Sequence, residues 1–313
     1  RAAMMDAGMF AWWTAEDFTM AFWRPLSAAT HLLDWTLHGA NPVIGHAHSM
    51  LWFAALLAVL AVLYRRFHAP WAANLALMLF AFDDAHGLIL GFVSARNALI
   101  AATLAFTALI AHDRWRRDEW TPGAWLGPLL FAAALMAGES ALAVTGYLLG
   151  YTLFIDGGKP GAKLGRLAPY AVLSVVYLGV YGALGFGTAG GGIYISPMHE
   201  PLAFIEALVQ RAPILALSQT VGFPADAYLL MPDWLRHSVL LGFPVVFFGA
   251  VIVLQPLLRY PLARFWVLGS ALALIPICAT FPTDRLLIFV GVGAMAVAAS
   301  LMARFLDADP APS

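Results

Sequence analysis

Phe82-Asp83-Asp84-Ala85-His86-Gly87 is followed, after a short apolar run, by Ser94-Ala95-Arg96-Asn97. Two carboxylates, an imidazole and a guanidinium thus fall inside or beside otherwise apolar helical sequence. Ionisable groups are costly in hydrocarbon and mark a water-facing or functional surface where they occur. The flanking sequence decides what kind of surface this is. The 313 residues are 62% hydrophobic and 11% charged, mean hydropathy is +0.79, and apolar runs near twenty residues recur along the length. A spanning helix needs about 20 mostly apolar residues, so the expected fold class is an all-α polytopic transmembrane bundle.

Working outward, the apolar runs predict about nine spans. They cover 43–64, 71–90, 94–111, 125–138, 139–155, 167–186, 238–253, 265–279 and 286–302, with 201–220 lying along the interface or re-entering. The domain reading is an outer-face loop with interfacial helices over 1–42, a transmembrane domain over 43–306 with an outer loop at 187–237, and a loose tail at 307–313. Residues 1–42 carry Asp6, Glu16, Asp17, Arg24, His31 and Asp34 among Trp12, Trp13, Phe22, Trp23 and Trp35. Tryptophans of this kind favour a bilayer interface. A helix is expected to begin near Pro25-Leu26-Ser27. The chain opens Arg1-Ala2-Ala3 straight into polar, aromatic sequence, as the middle of a longer chain would.

With the start placed outside, alternating spans put Arg65, Arg66, Arg114, Arg116, Arg117, Lys159, Lys163, Arg166, Arg259, Arg264 and Arg304 inside. These eleven of the 17 basic residues form every dense basic cluster, as the positive-inside rule requires. The same layout brings Asp6, Glu16, Asp17, Arg24, Asp83, Asp84, His86, Arg96, Glu139, His199, Asp284 and Arg285 to the outer face, where they read either as one cavity or as polar helix ends.

Several functions are excluded or weakened. The net charge of -1 says nothing about nucleic acid, but no Lys/Arg tract that would bind it is present, so no nucleic-acid partner is expected. A single cysteine, Cys278, excludes an internal disulfide and a cysteine-based metal cluster. The glycines at 185–192 lack phosphate-loop spacing. His46 and His48 have no HExxH context, and His31, His38 and His46 read as packing or helix-end residues. The polar residues gather at one face, not at the midplane where transporter sites usually lie. Among the outer-face groups, Arg96 is expected to pair with Asp84 or bind phosphate, with Ser94 capping its helix. Glu139 is expected to be a partly buried acid or an ion-pair partner. Asp6, Asp17 and Asp83 are carboxylates suited to a divalent hard ion.

Three motifs carry a family resemblance. Phe22-Trp23-Arg24-Pro25-Leu26-Ser27 with Asn41-Pro42, Gly45-His46 and Leu51 resembles the start of polytopic GT-C-type glycosyltransferases, both bacterial members and the eukaryotic O-mannosyltransferases that carry TPR repeats. The run from Phe80 to Gly87 with Ser94-Ala95-Arg96-Asn97-Ala98-Leu99 resembles that group's outer-face motif. Leu135-Met136-Ala137-Gly138-Glu139-Ser140-Ala141-Leu142 resembles its acidic motif, with Gly138 where a lysine is common. The likeness covers roughly residues 20–160, and no TPR-like repeat follows.

The resemblance implies a polyprenyl-phosphate-linked sugar donor, an outer-face active site and an inverting transfer that can use a divalent cation, magnesium or manganese. It also implies a catalytic acid in the first outer loop. Asp6 or the Glu16-Asp17 pair would hold that role, unless the true pair lies upstream of Arg1. Asp83, His86 and Glu139 would shape the cavity, Asp84 joins them among the candidate catalytic residues, and Arg96, with Arg24 or Arg285 as helpers, would neutralise the leaving phosphate. The location implied is a bacterial inner membrane, with membrane lipids as surroundings and the polar cavity facing the periplasm. The alternative reading is a non-catalytic structural or assembly subunit, bound to other membrane subunits of a bioenergetic or photosynthetic complex.

Overall fold

The computed structural model describes residues 5, 6, 8, 19–39, 41–189, 194–197 and 200–306. The acids Glu16 and Asp17, His199 and the tail 307–313 lie outside the described residues. After the short strand β1 (Thr19–Ala21), helices α1 (Pro25–His38), α2 (Pro42–Phe67) and α3 (Pro70–Ala81) follow. A 3₁₀ turn, Asp84–His86, leads into the short α4 (Gly87–Gly91), and a second turn, Val93–Ala95, into α5 (Arg96–Arg117). Helix α6 (Gly123–Ala137), a 3₁₀ turn at Glu139–Ala143 and α7 (Val144–Phe154) complete the first half. The second half comprises α8 (Pro160–Ala183), β2 (Gly187–Ala189), α9 (Pro201–Val221), α10 (Asp233–Leu254), α11 (Pro261–Ile277) and α12 (Ile288–Phe305).

Local chemistry sets the helix ends. Pro25, Pro42, Pro70, Pro160, Pro201 and Pro261 each open a helix, where the missing N–H costs nothing and φ is preset. The Asn41 side chain caps α2 by accepting the Val43 N–H at 3.0 Å. Gly222 ends α9 in the left-handed region at φ 69°, which only glycine adopts without strain.

The chain is an all-α bundle with several apolar helices, consistent with a polytopic membrane fold. Among the described residues six helices are long and apolar enough to span: Pro42–Phe67, Val93–Arg117, Pro160–Ala183, Pro201–Val221, Asp233–Leu254 and Asp284–Phe305. A seventh arises if Pro70–Ala81 and Asp84–Gly91, bent by 46°, act as one span. This corrects the expected nine. The predicted spans at 125–138 and 265–279 form the shorter apolar helices α6 and α11, and the one at 139–155 starts with a 3₁₀ turn and leaves an 11-residue α7. Segment 201–220, expected to stop short of a crossing, forms a continuous 21-residue helix.

The core centres on α5, where Leu99, Ile100, Ala101, Ala102, Ala105, Phe106, Ala108 and Leu109 have no exposure. Small residues let neighbours approach the helix closely. A Cβ at Gly123 would lie 2.2 Å from the Ala111 carbonyl oxygen, and one at Gly138 would lie 3.2 Å from Asn97 Nδ2. Helix α6 therefore runs back along α5 from one polar end of the bundle to the other, despite its length. At one end Arg66 and Arg117 hold Asp113, and Arg116 and Arg166 hold Asp156. At the other end lie Arg24, Asp34, Arg96 and Glu139.

Candidate functional site

The second end contains the candidate site, and an element invisible in the sequence builds it. Strands β1 and β2 pair antiparallel, with Thr19 opposite Ala189 and Ala21 opposite Gly187. This ribbon lays Phe22-Trp23-Arg24 against the end of α8. Trp23 stacks on Tyr177 at 5.8 Å and on Phe186 at 6.3 Å, while Phe22 meets Tyr194 edge-on at 5.8 Å. The Arg24 guanidinium sits 4.3 Å from the Phe22 ring centroid. From there Arg24 Nε donates to Glu139 Oε2 at 2.9 Å, and a second guanidinium nitrogen donates to the other carboxylate oxygen. A two-point contact of this kind fixes both orientation and charge. Burial alone would lower the Arg24 pKa, but the Glu139 carboxylate prevails and holds it above its usual value.

The Arg24–Glu139 pair stands between two hollows. On one side an apolar cavity of about 240 Å³ is lined by Glu139, Ser140, Tyr177, Tyr181, Tyr194 and Thr280, among others. The Ser140, Tyr177 and Thr280 hydroxyls have no hydrogen-bond partner among the described residues. An unpartnered buried hydroxyl costs free energy, so a ligand or water with donors and acceptors is suited to the cavity. On the other side a more open recess of about 370 Å³ is lined by Arg24, Ser27, His31, Ser94 and Asn97 with Phe22, Trp23 and Phe186. Phe22 borders both hollows.

Arg96 lies elsewhere than expected. Its side chain has no exposure and pairs with Asp34, not Asp84, at 2.6 Å. Its Nε donates to Ser49 Oγ at 3.1 Å and its Nη2 to the Gly45 carbonyl at 2.7 Å. Asp34 is also 2.7 Å from His48 Nδ1, and Trp52 Nε1 donates to His48 Nε2 at 3.2 Å. His48 Nδ1 also lies 3.1 Å from Arg96 Nη1, so the imidazole, Asp34 and Arg96 form one cluster. Burial would raise the Asp34 pKa, but the His48 and Arg96 contacts win and hold it below the usual value. Ser94 lies within the 3₁₀ turn before α5 and makes no cap, contrary to expectation.

Asp83, Asp84 and His86 lie with Asp284 and Arg285 apart from the two hollows that the Arg24–Glu139 pair separates. Asp83 accepts from the Ala85 N–H at 3.0 Å and from Gln219 Nε2 at 3.1 Å. Asp84 is exposed, and so is Asp6. His86 is 3% exposed and packs against the rings of Phe80 at 4.4 Å and Phe53 at 5.4 Å. Asp284 accepts from Ser218 Oγ at 2.5 Å and from the Ala225 N–H at 3.0 Å, beside Asp226. Arg285 lies 5.9 Å from the Phe281 ring centroid. Among the described residues of the predicted set, Arg24 and Glu139 form a side-chain ion pair, and the His86 N–H donates to the Asp83 carbonyl at 3.2 Å. Asp34, His48, Tyr177 and Thr280 were not singled out as site residues. Their one sequence signal is position: Asp34 and His48 flank the Asn41-Pro42 break, which folds their helices together.

Among the described residues no group of three or more His, Cys, Asp or Glu side chains is placed to hold a metal ion. No protein-family model, curated protein or solved structure matches the chain.

Proposed function

We propose that the protein is a GT-C-like transferase that takes a sugar from a polyprenyl-phosphate donor at the Arg24–Glu139 end. One observation carries the reading: a guanidinium–carboxylate pair stands at the boundary between an apolar, hydroxyl-studded cavity and an open polar recess. A lipid-linked phosphate would take Glu139's place on Arg24, since both are planar-fork partners for a guanidinium. The displaced Glu139 carboxylate then becomes available as a base. In the transfer, an acceptor hydroxyl oxygen attacks the anomeric carbon and its proton passes to a carboxylate. The bond from that carbon to the phosphate oxygen breaks, and its electron pair leaves with the phosphate that Arg24 neutralises. Asp6, Glu16 and Asp17 belong to the same proposal as alternative bases.

A second reading, a non-catalytic membrane subunit, draws on Arg96. The arginine that the family motif assigns to phosphate has no exposed surface and spends its donors on Asp34, Ser49 and Gly45. A residue so used is a structural cross-link.

The full chain in proteoliposomes, given polyprenyl-phosphate hexoses and hydroxyl acceptors, distinguishes the two. The transferase reading expects donor consumption that falls at least about tenfold in Arg24→Ala and Glu139→Gln. Wild-type consumption no faster than in protein-free vesicles rejects it and leaves the subunit reading.

A further inference from the structure

The opposite end of the bundle carries a charge surplus that the proposed transfer does not use. Two buried carboxylates anchor it. Asp113 contacts Arg66 and Arg117, and Asp156 contacts Arg116 at 3.1 Å and Arg166 at 2.7 Å. Each carboxylate is thus outnumbered by guanidinium groups. In the segment after Asp156, Lys159 is exposed and Lys163 half-buried, and neither side chain has an ion-pair or hydrogen-bond partner among the described residues.

Positions 159, 163 and 166 fall four and three residues apart at the start of α8, so the three cations lie on one side of that helix. The turn before it holds them together. Arg166 Nη1 donates to the Gly157 carbonyl at 3.2 Å, and Gly158 at φ 112° passes beneath the guanidinium. Arg116 and Arg166 thus neutralise Asp156 directly, and Lys159 and Lys163 add two cations, unpaired among the described residues, on the segment that follows it.

What surrounds this patch identifies its occupant. Leu153 and Leu164, its apolar neighbours in sequence, are 55% and 63% exposed. In a bilayer such surfaces face acyl chains. A soluble anion would use the cations and leave these side chains idle, whereas a phospholipid uses both. Trp125, 62% exposed in the first turn of α6 at this same end, suits the headgroup level.

We infer that Lys159 and Lys163, steadied by the Asp156–Arg166 pair, form a docking site for the headgroup of an anionic phospholipid. The lipid phosphate sits between the lysines, and its chains run along α7 and α8. Each lysine near an anionic headgroup is worth several-fold in affinity, so removing both costs at least about tenfold.

The test is native mass spectrometry of the full chain with phosphatidylglycerol or phosphatidylcholine added in detergent. The site predicts that the wild type retains phosphatidylglycerol in preference to phosphatidylcholine, and that K159Q/K163Q loses the preference about tenfold. R259Q/R304Q removes the same charge from two other exposed positions and keeps the preference. Equal loss in R259Q/R304Q overturns the local site in favour of a diffuse field. Undiminished retention in K159Q/K163Q overturns it outright. Displacement of the bound lipid by millimolar inorganic phosphate would show that a free anion suffices, and would also reject a lipid site. A melting curve unchanged from wild type shows that the variants fold.

Discussion

Arg96 and Asp34 form an ion pair at 2.6 Å across 62 residues of sequence, with the arginine wholly buried and the aspartate 18% exposed. The pair ties helix α1 to the start of α5, and Ser49 and Gly45 of α2 complete the cage. Removing the arginine leaves the partly exposed Asp34 with His48 and breaks the bonds to Ser49 and Gly45, at a cost of about 3 kcal/mol. Arg96→Ala is therefore expected to lower the melting temperature of the detergent-solubilised protein by more than about 5 °C. Arg96→Lys restores less than half, because a single ammonium cannot serve three acceptors in a fixed fork. A melting curve for Arg96→Ala within 1 °C of wild type would show that the cage carries no stability, and would return Arg96 to the list of substrate contacts.

The stretch around Asp83 reads in the sequence as the interior of one span over 71–90, yet the helix ends at Ala81 and a 3₁₀ turn at Asp84–His86 follows. Arg96 reads in the sequence as an outer-face cation for Asp84 or a phosphate, yet it is buried and its partner, Asp34, lies on α1, 62 residues earlier. Span number was over-read because hydropathy detects apolar runs, not helix ends. The runs read at 125–138 and 139–155 yield helices of only 15 and 11 residues, and Pro276 lies near the end of another. The β1–β2 ribbon was unreadable for a different reason. Each strand is three residues long, too short for alternation to register, although the ribbon brings Arg24 to Glu139.

Close packing around α11 gives a second expectation. A Cβ at Gly269 would lie 2.3–2.8 Å from three atoms of the Tyr147 ring. That ring is fully buried, and its hydroxyl donates to the Phe289 carbonyl and accepts from the Gly293 N–H. It cannot retreat without losing both bonds. Gly269→Ala should destabilise by about 1–3 kcal/mol. Gly165→Ala, with nothing within 4 Å of its Cβ, should be neutral or stabilise by up to about 1 kcal/mol, because alanine is the better helix former. Thermal unfolding of the two variants side by side decides this, and equal melting temperatures would contradict the packing argument.

The hydroxyls of the apolar cavity allow a test of what occupies it. Thr280 is 7% exposed and its hydroxyl is unpartnered among the described residues. If a ligand satisfies that group, Thr280→Val should stabilise the delipidated protein by about 1 kcal/mol and weaken its retention of added polyprenyl phosphate. Tyr177→Phe should behave in the same way. Lipid titrations monitored by thermal shift measure both quantities. Unaltered retention in both variants would remove the cavity from the binding site.

His68 makes stability depend on pH in a defined window. It lies between α2 and α3 and stacks on Trp266 with ring centroids 5.8 Å apart. Its Nε2 has no partner among the described residues, and burial lowers its pKa to about 4. The folded protein therefore holds His68 neutral where the unfolded chain, with the ordinary value of 6.5, takes up a proton. The folded state binds fewer protons, so stability is unaffected above about pH 6.5 and falls as the pH drops toward 4. Between pH 7.5 and 5.0 the loss is about 2 kcal/mol. His31, lowered by burial and by the Arg96 charge, acts in the same direction, so removing His68 should reduce the acid sensitivity without abolishing it. His68→Phe keeps a ring against Trp266 and cannot titrate. Its melting temperature should fall less than that of the wild type between those two pH values. An identical fall in both proteins would mean that His68 is already protonated or solvated in the fold.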